Sequence, residues 1–162
     1  MAKSYQAGVA TLGIKLAYGV ETVAGVKPEV FNVLHRISEI GDINLTAETI
    51  DASALEDLVE RSVAGRASTG GTWDVTVNAT DDTMSEWKTL INAYKALSGG
   101  KRMWFEIIVP GLTDADFIVA QPPLQIPSPS MGQNEVLKFT MTMAIEEYVG
   151  FETKVVPTDD AE

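Results

Sequence analysis

The chain has 162 residues, of which 45% are hydrophobic and 22% charged, with no cysteine and a formal net charge of −11. This length fits one domain with a sizeable core. The lack of thiols excludes disulfides, thiolate metal sites and a cysteine nucleophile, and an excess of 23 acidic over 12 basic residues repels phosphate backbones, which excludes tight direct nucleic-acid binding.

Glycines interrupt every helical stripe in the first thirty residues, as in Gly13-Ile14-Lys15-Leu16-Ala17-Tyr18-Gly19, so residues 1–30 read as an extended N-terminal arm. The opening Met1-Ala2-Lys3-Ser4-Tyr5 lacks the apolar core of a secretory signal. No apolar run approaches the roughly 20 residues of a bilayer span, so no membrane partner is expected. Phe31, Val33, His35 and Ile37 alternate with Asn32, Leu34 and Arg36, which predicts a strand.

Residues 39–60 carry seven acids (Glu39, Asp42, Glu48, Asp51, Glu56, Asp57, Glu60) and no lysine or arginine. Their apolar residues, Ile40, Ile43, Leu45, Ile50, Leu55 and Leu58, fit neither the helical nor the strand period. A long, weakly patterned insertion of this kind predicts a functional loop over residues 39–66, closed by the glycine-rich turn from Gly65 to Gly71. A strand follows, with Trp73, Val75, Val77 and Ala79 on one face and Thr72, Asp74, Thr76 and Asn78 on the other.

One amphipathic helix is predicted. Thr83 and Glu86 have capping-box spacing, and Asp81 and Asp82 stand where the helix dipole favours negative charge. Met84, Trp87, Leu90, Ile91, Tyr94 and Leu97 recur as an apolar face, and Gly99-Gly100 ends the element. Met103 to Val109 reads as a buried strand stopped by Pro110-Gly111, and Phe117 to Ala120 as another stopped by Pro122-Pro123. Asp114 and Asp116 are read as a polar turn between them. Pro127 and Pro129 keep the next loop open. In the strand at 136–147, Leu137, Phe139, Met141, Met143 and Ile145 face one way, and Lys138, Thr140, Thr142, Ala144 and Glu146 the other. The tail after Pro157 is acidic and expected to be disordered.

The fold class expected from this order is mainly β with some α: an antiparallel β-sandwich or small barrel with one covering helix. No catalytic, cofactor-binding or metal constellation is found, so no enzyme and no cofactor is expected. His35 is the sole histidine; it has no nucleophile elbow to serve and is read as structural. The Gly65–Thr72 stretch has glycine where a phosphate-binding loop needs lysine, with a strand where the helix should start. The acids of 48–60 lack the twelve-residue calcium-loop pattern. Lys101-Arg102 beside Trp104 is too small for a nucleic-acid patch, and the three tryptophans and the Met141/Met143 pair read as core or interface anchors.

In element order and loose local patterns, residues 10–150 resemble the major tail tube proteins of long, non-contractile phage tails. The resemblance is carried by the arm segment Gly13–Thr22, Ile40-Gly41-Asp42-Ile43 and Glu48–Ser53 leading to Val63-Ala64-Gly65. It continues through the strand Thr72–Val77, the helix with Trp87, Met103-Trp104-Phe105-Glu106 to Pro110-Gly111, and Phe117 to Pro123. It implies a single tail-tube domain over 1–157 with an acidic tail at 158–162. It further implies a virion protein, assembled in the bacterial host cytoplasm, whose hexameric rings stack into a hollow tube around a tape-measure protein. Tail-tip and terminator proteins are implied as further partners, with transient passage of double-stranded DNA.

Within this expectation the lumen-facing residues are Thr72, Asp74, Thr76, Asn78, Lys138, Thr140, Thr142 and Glu146. The ring-stacking loop presents Ile40, Asp42, Ile43, Leu45, Glu48, Ile50, Asp51, Leu55 and Leu58, and Met84, Trp87, Leu90, Ile91 and Tyr94 form the helix core face. The alternative is a ligand- or carbohydrate-binding β-sandwich module, or another ring-forming virion or secretion-tube component.

Overall fold

The structure is a computed structural model that describes residues 7–9, 12–129 and 131–158. Among these are nine strands and one helix: β1 Lys15–Val20, β2 Asn32–Leu34, β3 Ile37–Ile40, β4 Thr46–Asp51, β5 Ser62–Ser68, β6 Thr72–Asn78, α1 Asp81–Lys95, β7 Met103–Ile108, β8 Asp114–Gln121 and β9 Lys138–Thr153. The architecture is mostly β with antiparallel pairing and one helix, as the alternation of the strands predicts.

Seven strands form one sheet in the order β2-β1-β7-β8-β9-β6-β3. Its two outermost strands, β2 and β3, are separated in the chain only by His35 and Arg36. Three residue steps reach at most about 11 Å, so the sheet must curl until its edges nearly meet. Arg36 makes that corner in the left-handed region, at φ 58°. The single strand expected over 31–37 is therefore two strands belonging to opposite edges. Phe31 and Leu34 are buried there rather than Val33 and His35, because the corner breaks the parity.

The inner face of the curl holds the main core. Leu16, Leu34, Trp73, Val75, Val77, Met103, Phe105, Ile118, Ala120, Phe139, Met141 and Met143 meet Trp87, Leu90 and Ile91 of α1. Apolar residues at every second position of β6 and β9 face the same way, so their side chains interdigitate beneath the helix. Met84 and Tyr94 pack at its margin, half-buried. Thr80, not Thr83, is the N-cap. Its hydroxyl accepts from the Thr83 N–H, and the Thr83 hydroxyl accepts from the Thr80 N–H and donates to the Asn78 carbonyl. Glu86 is thereby released from capping. Its carboxylate accepts the His35 backbone N–H at 3.1 Å and pairs with His35 Nδ1 at 2.5 Å, tying the corner to the helix.

A second, smaller core lies on the opposite face of β1, β7 and β8: Ala17, Phe31, Trp104, Ala115, Phe117 and Val119. The segment after β9 covers it, with Val155 packed on this cluster and the Thr158 N–H bonded to the Phe31 carbonyl. Within the stretch read as an arm, Lys15–Val20 is thus an interior strand paired on both sides, by β2 and by β7. Asp114 and Asp116 do not form a turn, since β8 begins at Asp114 and pairs with β9 from there. Of the expected disordered tail, Thr158 is placed beside Asn32, and residues 159–162 lie outside the described residues. Strand β9 outruns the expected 136–147. Two register shifts, which leave Glu146 and Val149 as extra residues opposite β8, let it carry on to Thr153 with its side-chain parity reset.

Candidate functional site

Two surfaces concentrate what the folded body leaves unsatisfied. The first is a ribbon. Strands β4 and β5 pair only with each other, and every residue of β4 is exposed, as is every residue of β5 except Gly65. The ribbon leaves the body where Gly41 passes so close to β6 that a Cβ there would lie 2.9 Å from the Asp74 carbonyl oxygen. A two-stranded ribbon buries little of itself, which is why no period could be read from its sequence.

The ribbon's tip is nevertheless well braced. The Ala52 N–H donates to the Arg61 carbonyl, the Ser53 hydroxyl bonds the Arg61 backbone, Asp51 accepts the Ser53 N–H, and Asp57 accepts the Ala54 N–H while pairing with the Arg61 guanidinium at 3.3 Å. The hydrogen bonds from Ser53 hold the Asp51 carboxyl below its ordinary range. With Asp51 and Asp57 turned to the backbone, the tip presents Leu55 and Leu58 at full exposure and Val59 at 77%, together with the exposed Glu56 and Glu60. Lower down, Ile50 and Val63 stand directly opposite each other as an exposed apolar pair. Water does not hold three large apolar side chains on a braced loop without cost, at about 25 cal/mol per Å² of apolar area.

Of the residues expected in the loop, Leu45, Glu48, Ile50, Asp51, Leu55 and Leu58 are brought together on this ribbon and its roots. Asp42 is exposed at the base. Ile40 and Ile43 do not project, and both pack against the main core.

The second surface is the outer face of β6 and β9. Asp74 faces Thr142, Thr76 faces Thr140, and Asn78 faces Lys138 in register, with the two threonine hydroxyls of one pair 3.1 Å apart. Thr72, Asp74, Lys138, Thr140, Thr142 and Glu146 are exposed, and Thr76 and Asn78 half-buried. Seven of the eight expected residues therefore lie on one face by register, and Glu146 stands exposed beyond the β6 pairing, at a register shift against β8. Glu39 of β3 joins them beside Thr76, a residue that reading by strands assigned only to the loop. Its place depends on β3 pairing with β6 across a register shift, which no local signal reveals.

Sequence reasoning also missed a buried polar hub behind the second core. The Glu21 carboxylate accepts from the Gly25 N–H (3.0 Å), the Arg102 N–H (2.9 Å), Arg102 Nε (3.1 Å) and Trp104 Nε1 (2.7 Å). Burial pushes this carboxyl up, but the hydrogen bonds from Trp104, Gly25 and Arg102 outweigh that and hold it below its ordinary value of 4.5. Glu106, fully buried, accepts the Val155 N–H at 2.8 Å through one oxygen. Its other oxygen has no hydrogen-bond partner, and burial pushes its carboxyl up. Burial likewise raises Asp116, which accepts from Tyr148, and the Tyr148 hydroxyl is pushed up to about 12 by burial and that carboxyl. Glu106 and Asp116 sit at strand positions in β7 and β8, and Glu21 directly follows β1.

The class defined by these features is a curled antiparallel β-body, one helix packed in its concave side, and a long unsupported ribbon. The same fold is found in solved assemblies. Over 76% of this chain and 86% of the other, it matches a chain from the tail of an empty GTA particle refined with C6 symmetry (TM-score 0.51, 16% identity). Over 95% of this chain and 97% of the other, it matches a chain from the tube-terminating cap of the anti-feeding prophage (TM-score 0.59, 14% identity). At such identities the likeness is one of fold. No protein-family model matches the chain, and no curated protein matches it in sequence.

Proposed function

We propose that this protein is a non-enzymatic structural subunit of a phage-type tail, and that copies of it close into rings which stack into a hollow tube. The observation that carries the proposal is the ribbon: a braced, fully solvated hairpin with Leu55, Leu58 and Val59 outermost, on a fold shared with a tail particle and a tube cap. A head-to-tail contact between such copies is heterologous, so it closes into a ring or grows into a filament according to its rotation. The C6 symmetry of the GTA tail favours six copies per ring. Tape-measure, tail-tip and terminator proteins are the further partners this role requires, and the virion is where it is exercised.

The outer face of β6 and β9 is proposed as the bore. It is rich in hydroxyls, and with Glu39, Asp74 and Glu146 against Lys138 it carries more carboxylate than ammonium. A duplex passing along it finds few cations to bind. Repulsion acts over a Debye length of about 8–10 Å at physiological salt. Lys138, opposite Asn78, is an attractive charge on the face.

The test is size-exclusion chromatography of the purified protein with negative-stain microscopy. Rings or tubes are expected. Protein that stays monomeric at the highest attainable concentration refutes the role, and a tube structure in which Thr72, Asp74, Thr140 and Thr142 face outward refutes the assignment of the bore.

A further inference from the structure

Resting on that reading, we infer where the ribbon tip docks on the next copy: in the groove between α1 and the proline loop at 122–129. The groove encloses about 450 Å³, within the roughly 300–1,000 Å³ of cavities that seat a ligand. Met84, Ile91, Leu124, Ile126 and Pro127 supply apolar wall, and Lys88 and Lys95 stand on its helical side. Leu124 is 61% exposed, so the body leaves this wall uncovered.

Three properties of the tip match it. Leu55, Leu58 and Val59 are apolar knobs that their own body leaves exposed. Glu56 and Glu60, interleaved with them, have no ion-pair partner among the described residues, whereas Asp51 and Asp57 are turned inward to the loop. Lys88 and Lys95 equally have none among the described residues, a property they share with several other surface cations, and they are the two that line this groove. Seven residues of helix place the two ammonium groups about 10 Å apart along one side, flanking the apolar floor as the two free carboxylates flank the tip. Acidic-and-apolar meeting basic-and-apolar selects this partner over the acidic remainder of a surface whose net charge is −11. The tip's internal hydrogen bonds also mean little ordering entropy is lost on docking.

Geometry makes the contact intermolecular. The ribbon leaves β6 at its Thr72 end and α1 follows from its Asn78 end, about 20 Å apart along the strand. The tip's full exposure places it away from its own helix. A second copy is therefore the occupant, joined head to tail.

The experiment is assembly of the full chain as wild type, as Lys88→Glu/Lys95→Glu, as Glu56→Lys/Glu60→Lys, and as all four changes together. Sedimentation and negative-stain microscopy follow each, and circular dichroism verifies folding. Lys88, Lys95, Glu56 and Glu60 are exposed, so the fold tolerates each reversal. Each pair of reversals is expected to raise the concentration needed for assembly by at least about tenfold, since like charges across an interface cost several kcal/mol. The fourfold variant is expected to return to within about threefold of wild type. Wild-type tubes together with unaltered assembly of the lysine variant overturn the docking site and leave the tube reading standing. Loss of assembly in both pairs without rescue in the fourfold variant also overturns it, by placing other partners against each. A wild type that never assembles overturns both.

Discussion

Replacing Glu21 with alanine is expected to be among the most damaging single changes in the body. Its side chain is fully buried and collects four hydrogen bonds. Truncation strands Trp104 Nε1, which sits in a residue only 5% exposed, and takes one of two carboxylates from Arg102. An unsatisfied buried donor costs about 1–3 kcal/mol, and breaking a buried ion pair about 3–5 kcal/mol. Arg102 keeps Glu147 at 3.3 Å and is 20% exposed, so the lower half of that range applies and the loss should be about 3–4 kcal/mol. In a domain of this size that lowers Tm by about 6–16 °C. Trp104→Phe removes one of the four donors and should cost about 1–2 kcal/mol. Urea unfolding followed by circular dichroism measures both. The Glu21 carboxyl titrates below its ordinary value in the folded protein, so its contribution is present above pH 4.5 and is lost as pH falls through the depressed value. Glu21→Ala should therefore flatten the acid limb of the stability curve. A loss below about 1 kcal/mol, or an acid limb unchanged from wild type, would refute the reasoning.

Three further outcomes are expected. Thr80→Ala removes the N-cap acceptor of α1 and should cost about 0.5–2 kcal/mol in urea unfolding, whereas Glu86→Gln should leave the cap intact because Glu86 serves His35 instead. Glu106→Gln should respond to pH with the opposite sign from Glu21. Burial raises the folded carboxyl, so its stabilisation is present below pH 4.5 and lost as pH climbs through the raised value; in paired melts the variant should gain on wild type from pH 4 to pH 8. Gly19→Ala would set a Cβ 2.6 Å from the Val30 carbonyl oxygen and 3.2 Å from the Phe31 ring. Backbone must move to admit it, at about 1–3 kcal/mol by thermal melt.

What could be read from the amino acids divides along a physical line. Helix α1 and strands β6 and β9 were legible because each buries one face against a deep core, which forces apolar residues such as Trp87, Leu90, Val75 and Met141 into a regular period. Strands β2 and β3 were not, because the three-residue β2 and the four-residue β3 flank a corner at Arg36 that discards parity. The arm reading of 1–30 failed over Lys15–Val20, where Gly19 is required by the close approach of Val30 rather than marking an interruption. The cap was displaced by three residues, since threonine at 80 and at 83 offers the same hydroxyl and only the Asn78 carbonyl decides between them. The ribbon could be recognised as unpatterned but not as paired strands, because neither of its faces packs on anything. The Glu21 hub joins residues 81 and 83 positions apart, a distance over which no local pattern speaks.

The order of strands in the sheet sets a schedule for making this protein. Strand β9 is held on one side by β6 and on the other by β8, so the body has no continuous sheet until residues beyond 138 have been synthesised. Until then β3-β6 and β2-β1-β7-β8 share no strand pairing and meet only through the corner at 35–36, the loops and the face of α1, and pairings that span so many residues form slowly. A chain stopped short of β9 would display part of its future interior, Trp73 and Ile118 among it, with the strand that links the two sets missing, and such intermediates aggregate readily. Strand β9, the last to be made, thus sets the step at which the sheet becomes continuous.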